Sequence, residues 1–98
     1  MLYLISTAHL KPGTREKCVG PALACIAASR KEPGCVAYDL NFSVSDPDRM
    51  VFIEVWRDRA ALDEHFQTQH FRDWRAAIAD HVVSRKLELI TPERVEGI

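Results

Sequence analysis

Residues 35–57 read Cys35-Val36-Ala37-Tyr38-Asp39-Leu40-Asn41-Phe42-Ser43-Val44, Ser45-Asp46-Pro47-Asp48, Arg49-Met50-Val51-Phe52-Ile53-Glu54-Val55-Trp56-Arg57. The first run alternates with period two, placing Val36, Tyr38, Leu40, Phe42 and Val44 on one face. The last run alternates in the same way, and the Ser-Asp-Pro-Asp segment between them holds the residue types that close turns. This stretch predicts an antiparallel hairpin, with strands over Cys35 to Val44 and Arg49 to Arg57. The faces of its second strand differ. Val51, Ile53 and Val55 are purely aliphatic and suited to packing under helices, whereas Met50, Phe52, Glu54 and Trp56 are large and include one carboxylate.

Upstream of the hairpin, Leu2 to Leu10 alternates as a strand, with Leu2, Leu4, Ser6, Ala8 and Leu10 opposite Tyr3, Ile5, Thr7 and His9. Lys11-Pro12-Gly13 breaks it, and Thr14 is placed to cap a helix whose apolar positions are Val19, Ala22, Leu23, Ile26 and Ala27. Gly20-Pro21 is expected to kink or delay that helix, and Pro33-Gly34 to end it. Downstream, Asp58 caps a short helix bearing Ala61, Leu62, His65 and Phe66, and Thr68 caps a second bearing Phe71, Trp74, Ile78 and Val82. Ser84 to Ile90 supplies a last strand, and a tail starts at Thr91-Pro92.

The order β-α-β-β-α-β predicts an α+β fold of the ferredoxin-like kind, a four-stranded antiparallel sheet with helices on one face, in one domain over residues 1–98. Tyr3, Ile5, Met50, Phe52 and Trp56 are assigned to the other, open face, an apolar patch too large to leave against water. A second copy related by a two-fold axis is the simplest cover, so a homodimer through the open sheet face is expected.

Composition narrows the partners. The net charge is −1, with basic and acidic residues interspersed, so neither a nucleic-acid backbone nor a membrane surface is expected as partner. The N-terminus lacks the basic start and apolar run of a secretory signal, so the protein is expected to stay in the cytoplasm. Cys18, Cys25 and Cys35 form no CxxC pair; Cys18 and Cys25, seven apart, read as small core residues on one helix face. His65 and His70 are five apart with Thr68 between them, not the i, i+4 pair of a helical metal site, so no metal is expected. No glycine-rich phosphate loop and no G-x-S-x-G turn is present.

Three blocks then stand out: Pro33-Gly34-Cys35-x-x-Tyr38, Val51-Phe52-Ile53-Glu54-Val55-Trp56, and Ala61-Leu62-x-x-His65-Phe66-x-Thr68-x-His70-Phe71. Together they resemble the antibiotic biosynthesis monooxygenase domain family across nearly the whole chain. The resemblance implies a dimeric α+β barrel and activities that include cofactor-free oxygenation of aromatic ketides and quinols; haem degraders and a sugar-phosphate isomerase also belong to the family. In the polyketide oxygenases an asparagine stands four residues before the strand tryptophan; here that position is Phe52, while Trp56 matches. The haem-degrading branch would need its tryptophan at His65, its haem-ligating histidine at Arg75 and an asparagine near Ala8, and none matches. The paired histidines resemble the quinol oxygenase-like and isomerase-like members, which points to a small aromatic quinol or ketide and O2 as substrates without a cofactor. An isomerase acting on a small carbonyl compound and a non-catalytic binder of aromatic ligands remain as alternatives.

Adding O2 to a phenolic substrate without metal or flavin requires the substrate to become an electron-rich anion. The site then needs a base that works near neutral pH and an aromatic, dry pocket. His65 is the first candidate base, followed by His70 and His9. Trp56, Phe52, Phe66 and Trp74 are candidate stacking walls, and Tyr38, Asp39 and Asn41 candidate hydrogen-bond partners for ring oxygens. Each has a plain alternative: capping or surface exposure for the histidines, packing for Trp56. Glu54, among apolar neighbours, is expected to pair with an Arg or Lys, the alternative being a raised pKa and a proton-carrying role.

Overall fold

The hairpin forms where the alternation places it. In the computed structural model, which describes residues 1–98, Cys35–Phe42 and Arg49–Trp56 pair antiparallel around the Ser-Asp-Pro-Asp turn. Numbered in chain order, the elements are β1 (Leu2–Leu10), α1 (Arg15–Ser29), β2 (Cys35–Phe42), β3 (Arg49–Trp56), α2 (Arg59–Phe66), α3 (Gln69–Ile78) and β4 (Val82–Ile90). The sheet order is β2-β3-β1-β4, all neighbours antiparallel, and the helices cover one face, with α1 against α3. This is the expected ferredoxin-like arrangement.

Local chemistry explains the helix starts. The Asp58 carboxylate accepts from the Ala61 amide at 2.9 Å, and the Thr68 hydroxyl accepts from the Phe71 amide at 3.3 Å, so each helix after β3 has its own side-chain cap. Thr14 takes the N-cap position of α1 but makes no such bond; its hydroxyl donates to the Lys11 carbonyl at 2.8 Å. The expected delay of the helix at Gly20-Pro21 is corrected: α1 starts at Arg15 and runs to Ser29 through Pro21. Pro21 is the seventh of the fifteen residues of α1, so it removes a ladder bond in the helix interior, and burial of Cys18, Ala22, Cys25, Ile26 and Ser29 offsets that loss. Leu23, expected on the apolar side, is 62% exposed.

The assignment of sheet faces is also corrected. The register Leu2↔Trp56, Leu4↔Glu54, Ser6↔Phe52, Ala8↔Met50 puts the large β3 residues on the same side as Leu2, Leu4 and Ala8, under the helices. Met50, Phe52, Glu54 and Trp56 are all buried there. The opposite face carries Tyr3, Ile5, Val51, Ile53 and Val55, with Ile53 45% exposed. The physical reason is volume. Helix α1 offers the sheet small residues, Cys18, Ala22, Cys25 and Ser29, and only large side chains from β3 fill the space left between the layers.

Gly34, between α1 and β2, meets α2: a Cβ there would collide with the Cβ of Ala61. This contact brings the start of α2 against the end of the α1–β2 loop, from which Glu32 reaches toward His65 and His70.

Candidate active site

Between the helix layer and the sheet lies a cavity lined by Leu4, Ser6 and Ala8 of β1, Tyr38 of β2, and Met50, Phe52 and Glu54 of β3. Phe66 of α2, Phe71, Trp74, Arg75 and Ile78 of α3, and Arg85 and Leu87 of β4 complete its lining. Its enclosed free space is about 30 Å³. The walls are aromatic: Phe52 meets Trp74 edge-on with centroids 5.4 Å apart, Tyr38 lies 5.2 Å from Phe52, and Phe66 lies 5.1 Å from Phe71.

Glu54 is the carboxylate of this cavity. Its residue is 4% exposed, and Oε1 accepts from the indole N–H of Trp56 at 2.9 Å. Burial raises its pKa to about 7, partly opposed by the Trp56 hydrogen bond and aided by the charge of Glu32. The expected Arg or Lys partner is absent: no ion pair reaches Glu54, and its only polar side-chain partner is an indole. Across the strand pair, Glu54 stands opposite Tyr38. Burial, then the neighbouring Glu54 charge, raises the Tyr38 pKa, so its hydroxyl stays protonated.

Behind Tyr38 is a chain of hydrogen bonds. His65 is fully buried; its Nδ1 donates to Glu32 Oε2 at 2.7 Å, which leaves Nε2 to accept from the Tyr38 hydroxyl at 3.4 Å. Burial lowers the His65 pKa against the pull of Glu32, which keeps the ring neutral at pH 7. His70, half-buried, donates from Nε2 to the same Glu32 oxygen at 2.8 Å. The series His70, Glu32, His65, Tyr38 thus runs from near the surface to the cavity wall. Cys25 adds a weaker contact, its Sγ 3.5 Å from the Tyr38 hydroxyl.

The sequence-derived candidates divide accordingly. Tyr38, Phe52, Phe66 and Trp74 line the cavity. Trp56 lies behind the wall, fully buried, with its ring 4.6 Å from His65, and acts on the site through Glu54. His65 does not line the cavity, since both ring nitrogens are engaged by Glu32 and Tyr38. Three assignments are corrected. His9 is exposed on the outer sheet face opposite Arg49, and Asp39 and Asn41 are exposed on that same face, because odd positions of β1 and β2 point away from the helices. Asp39 there meets Arg30 at 3.5 Å.

His65 and His70 lie on different helices, so an i, i+4 spacing does not govern whether they meet. Two helices and a loop bring Glu32, His65 and His70 together, with one ligand atom from each within 4.8 Å of the others. Both imidazoles lie 2.7–2.8 Å from a single carboxylate oxygen, the separation of proton-sharing hydrogen bonds. Residues that sequence reasoning did not single out are Glu32, Ser6, Arg75 and Arg85. Arg85 shares the inward side of β4 with Leu87 and was readable from period two; Glu32 sits in a loop with no periodic signal.

Residues 1–77 match the family described as antibiotic biosynthesis monooxygenase. The chain is 31% identical to "Putative monooxygenase YcnE" of Bacillus subtilis over 98% of its own length and all of that protein. It is 26% identical to "Probable quinol monooxygenase YgiN" of Escherichia coli over 94% of this chain and 98% of the relative. A Synechocystis protein, "Uncharacterized protein sll1783", is 40% identical over 65 residues, 66% of this chain and 44% of that protein, so the match spans less than half of that longer chain. A crystal structure described as an antibiotic biosynthesis monooxygenase superposes with a TM-score of 0.90 at 35% identity, covering 96% of this chain and 100% of the other. With the fold and the aromatic cavity in agreement, the chain belongs to the antibiotic biosynthesis monooxygenase family.

Proposed function

We propose that this protein is a cofactor-independent monooxygenase that oxidises a small aromatic quinol with O2. The observation that carries the reading is Glu54: a carboxyl with a pKa of about 7 facing a cavity walled by Phe52, Phe66, Phe71 and Trp74. Half ionised near neutral pH, it is matched to taking a proton from a phenolic hydroxyl. The resulting anion reacts with O2 to form a ring peroxide, and loss of water gives the product: quinol plus O2 yields hydroxyquinone plus water. Glu54 holds the proton removed at the start and returns it to the departing hydroxide. Excluding water from the aromatic cavity limits competing release of partly reduced oxygen. The likeness to the probable quinol monooxygenase YgiN supports a quinol as substrate class.

In this reading His65 is a positioning residue. Glu32 holds its tautomer and its Nε2 holds the Tyr38 hydroxyl beside Glu54, with His70 connecting the series to solvent. The present free space of about 30 Å³ is well below the ~150 Å³ of a cavity that takes benzene. Ring entry therefore requires lining side chains to move outward. The functional unit is proposed to be a homodimer in which a second copy covers Tyr3, Ile5, Val51 and Ile53.

The test is oxygen uptake by purified protein with reduced 1,4-naphthoquinol, with the product followed by mass under labelled O2. One labelled oxygen in a hydroxynaphthoquinone, formed well above autoxidation and lost in Glu54→Gln, is expected. Turnover that persists without O2, or oxidation unaffected by Glu54→Gln, overturns the reading.

A further inference from the structure

Arg75 in the last turn of α3 and Arg85 on β4 both line the cavity, and both also line a shallow depression outside it with Ala76, Ala79 and Val82. They therefore stand between the aromatic interior and solvent. Both are half-buried, and neither is within ion-pair distance of any carboxylate. Arg30, Arg57 and Arg59 pair with Asp39, Asp58 and Asp63, whereas Arg15, Arg49 and Arg72 also lack a carboxylate partner; what sets Arg75 and Arg85 apart is that they line one cavity together.

Holding two unpaired guanidinium groups together in partial burial is unfavourable, through both lost hydration and mutual repulsion. The repulsion is felt: burial first and Arg75 second lower the proton affinity of Arg85. Glu54 is not the missing counter-charge, since the groups that act on it are Trp56 and Glu32. Arg75 lies over the Phe71 ring at 5.6 Å from its centroid, so the cation is held against the same aromatic wall that lines the cavity.

We propose that Arg75 and Arg85 form an anion subsite at the cavity mouth that binds a carboxylate substituent on the aromatic substrate, with the ring extending inward toward Glu54. The assignment rests on the proposed reading of the cavity as a site for an aromatic ring, and narrows its substrate class to acidic aromatics. Planar guanidinium forks suit a carboxylate, which accepts two parallel N–H bonds from one arginine.

Binding without turnover tests it. Titration calorimetry compares 2-naphthoate with its neutral isostere 2-naphthamide, neither of which has a hydroxyl to oxidise. Wild type is expected to bind the carboxylate about tenfold or more tightly, with the preference shrinking as salt rises and vanishing in Arg85→Gln and Arg75→Gln. Circular dichroism on each variant confirms that it is folded, and retained affinity for the amide shows that the ring site is intact. Equal affinity for the two ligands in wild type, or a carboxylate preference that survives both substitutions, overturns the subsite. Because no oxygen is consumed, failure here leaves the oxygenase reading standing, and failure of oxygenation leaves this measurement interpretable.

Discussion

The indole N–H of Trp56 donates to the Glu54 carboxylate at 2.9 Å, two residues away on the same inward face of β3. A tryptophan fully buried behind the cavity wall thus supplies the one side-chain hydrogen bond that this buried carboxyl receives. The bond moderates the rise in pKa, and the net result is a group that changes charge near pH 7.

Glu54 makes the protein more stable in mild acid than in mild base. Its folded pKa of about 7 lies above the value of 4.5 for a free glutamate, so between those values the folded state binds more protons than the unfolded one. Stability should fall as pH rises through this window, by at most ~3 kcal/mol for a shift of this size. Glu54→Gln keeps an acceptor for the Trp56 indole and removes the charge. Urea denaturation at pH 5 and pH 8 should show a smaller difference for the variant than for wild type. The kcat/KM of wild type should rise with pH through about 7 as the carboxylate forms.

His65 and Glu32 should behave as one unit. His65→Gln is expected to lower kcat about tenfold with little change in KM, less than the ~10²–10⁴ of a group that itself transfers the proton, because His65 acts only by holding Tyr38. Glu32→Ala should match it, whereas Glu32→Gln, which retains an acceptor for His65 Nδ1, should recover much of the loss. The pH dependence of stability has the opposite sign to that of Glu54. Burial depresses the His65 pKa, so the unfolded chain is protonated first as pH falls below about 6.5, and stability is lost. That contribution should be missing from His65→Gln in denaturation series between pH 7 and 5.

How far these groups were legible in the sequence follows from how each is positioned. The strands, the hairpin turn and the caps Asp58 and Thr68 are local, set by period and by residues three apart, and they stand within two residues of where the sequence reading puts them, with Val82 moving from the second helix to the start of β4. Which face of β3 turns inward is not local. It depends on the small side chains that α1 presents, and the aliphatic Val51-Ile53-Val55 face reads equally well as core until that volume is known. His65 stands out by residue type, but its carboxylate partner Glu32 is thirty-three residues away in a loop, beyond the reach of any spacing rule. His9 carries the same chemical appeal as His65, and only strand parity sends it to the opposite side of the sheet.

Gly34 is required by contact rather than by backbone conformation. A methyl group there collides with the Cβ of Ala61, so Gly34→Ala should destabilise by about 1–3 kcal/mol, the usual cost of overpacking. Removing the opposing methyl in Gly34→Ala/Ala61→Gly should return part of that loss, although a glycine inside α2 itself costs up to ~1 kcal/mol. Thermal melts of the two variants beside Ala61→Gly alone separate the terms. A double variant no more stable than Gly34→Ala would show that the clash is not the cause.

The outer sheet face supplies the last prediction. Tyr3, Ile5, Val51 and Ile53 lie side by side there through the pairs Ile5↔Ile53 and Thr7↔Val51, and no helix covers them. A second copy bound through this face would leave the aromatic cavity, on the other side of the sheet, intact in each protomer. Ile53→Lys places a charge at the middle of the patch, where burial in an interface is costly but exposure to water is not. Sedimentation velocity should therefore report a dimer for wild type and the 11.1 kDa monomer for Ile53→Lys, with the variant still folded. A dimer that survives the substitution would place the interface elsewhere, since a single buried lysine without a partner outweighs what one isoleucine contributes to such a contact.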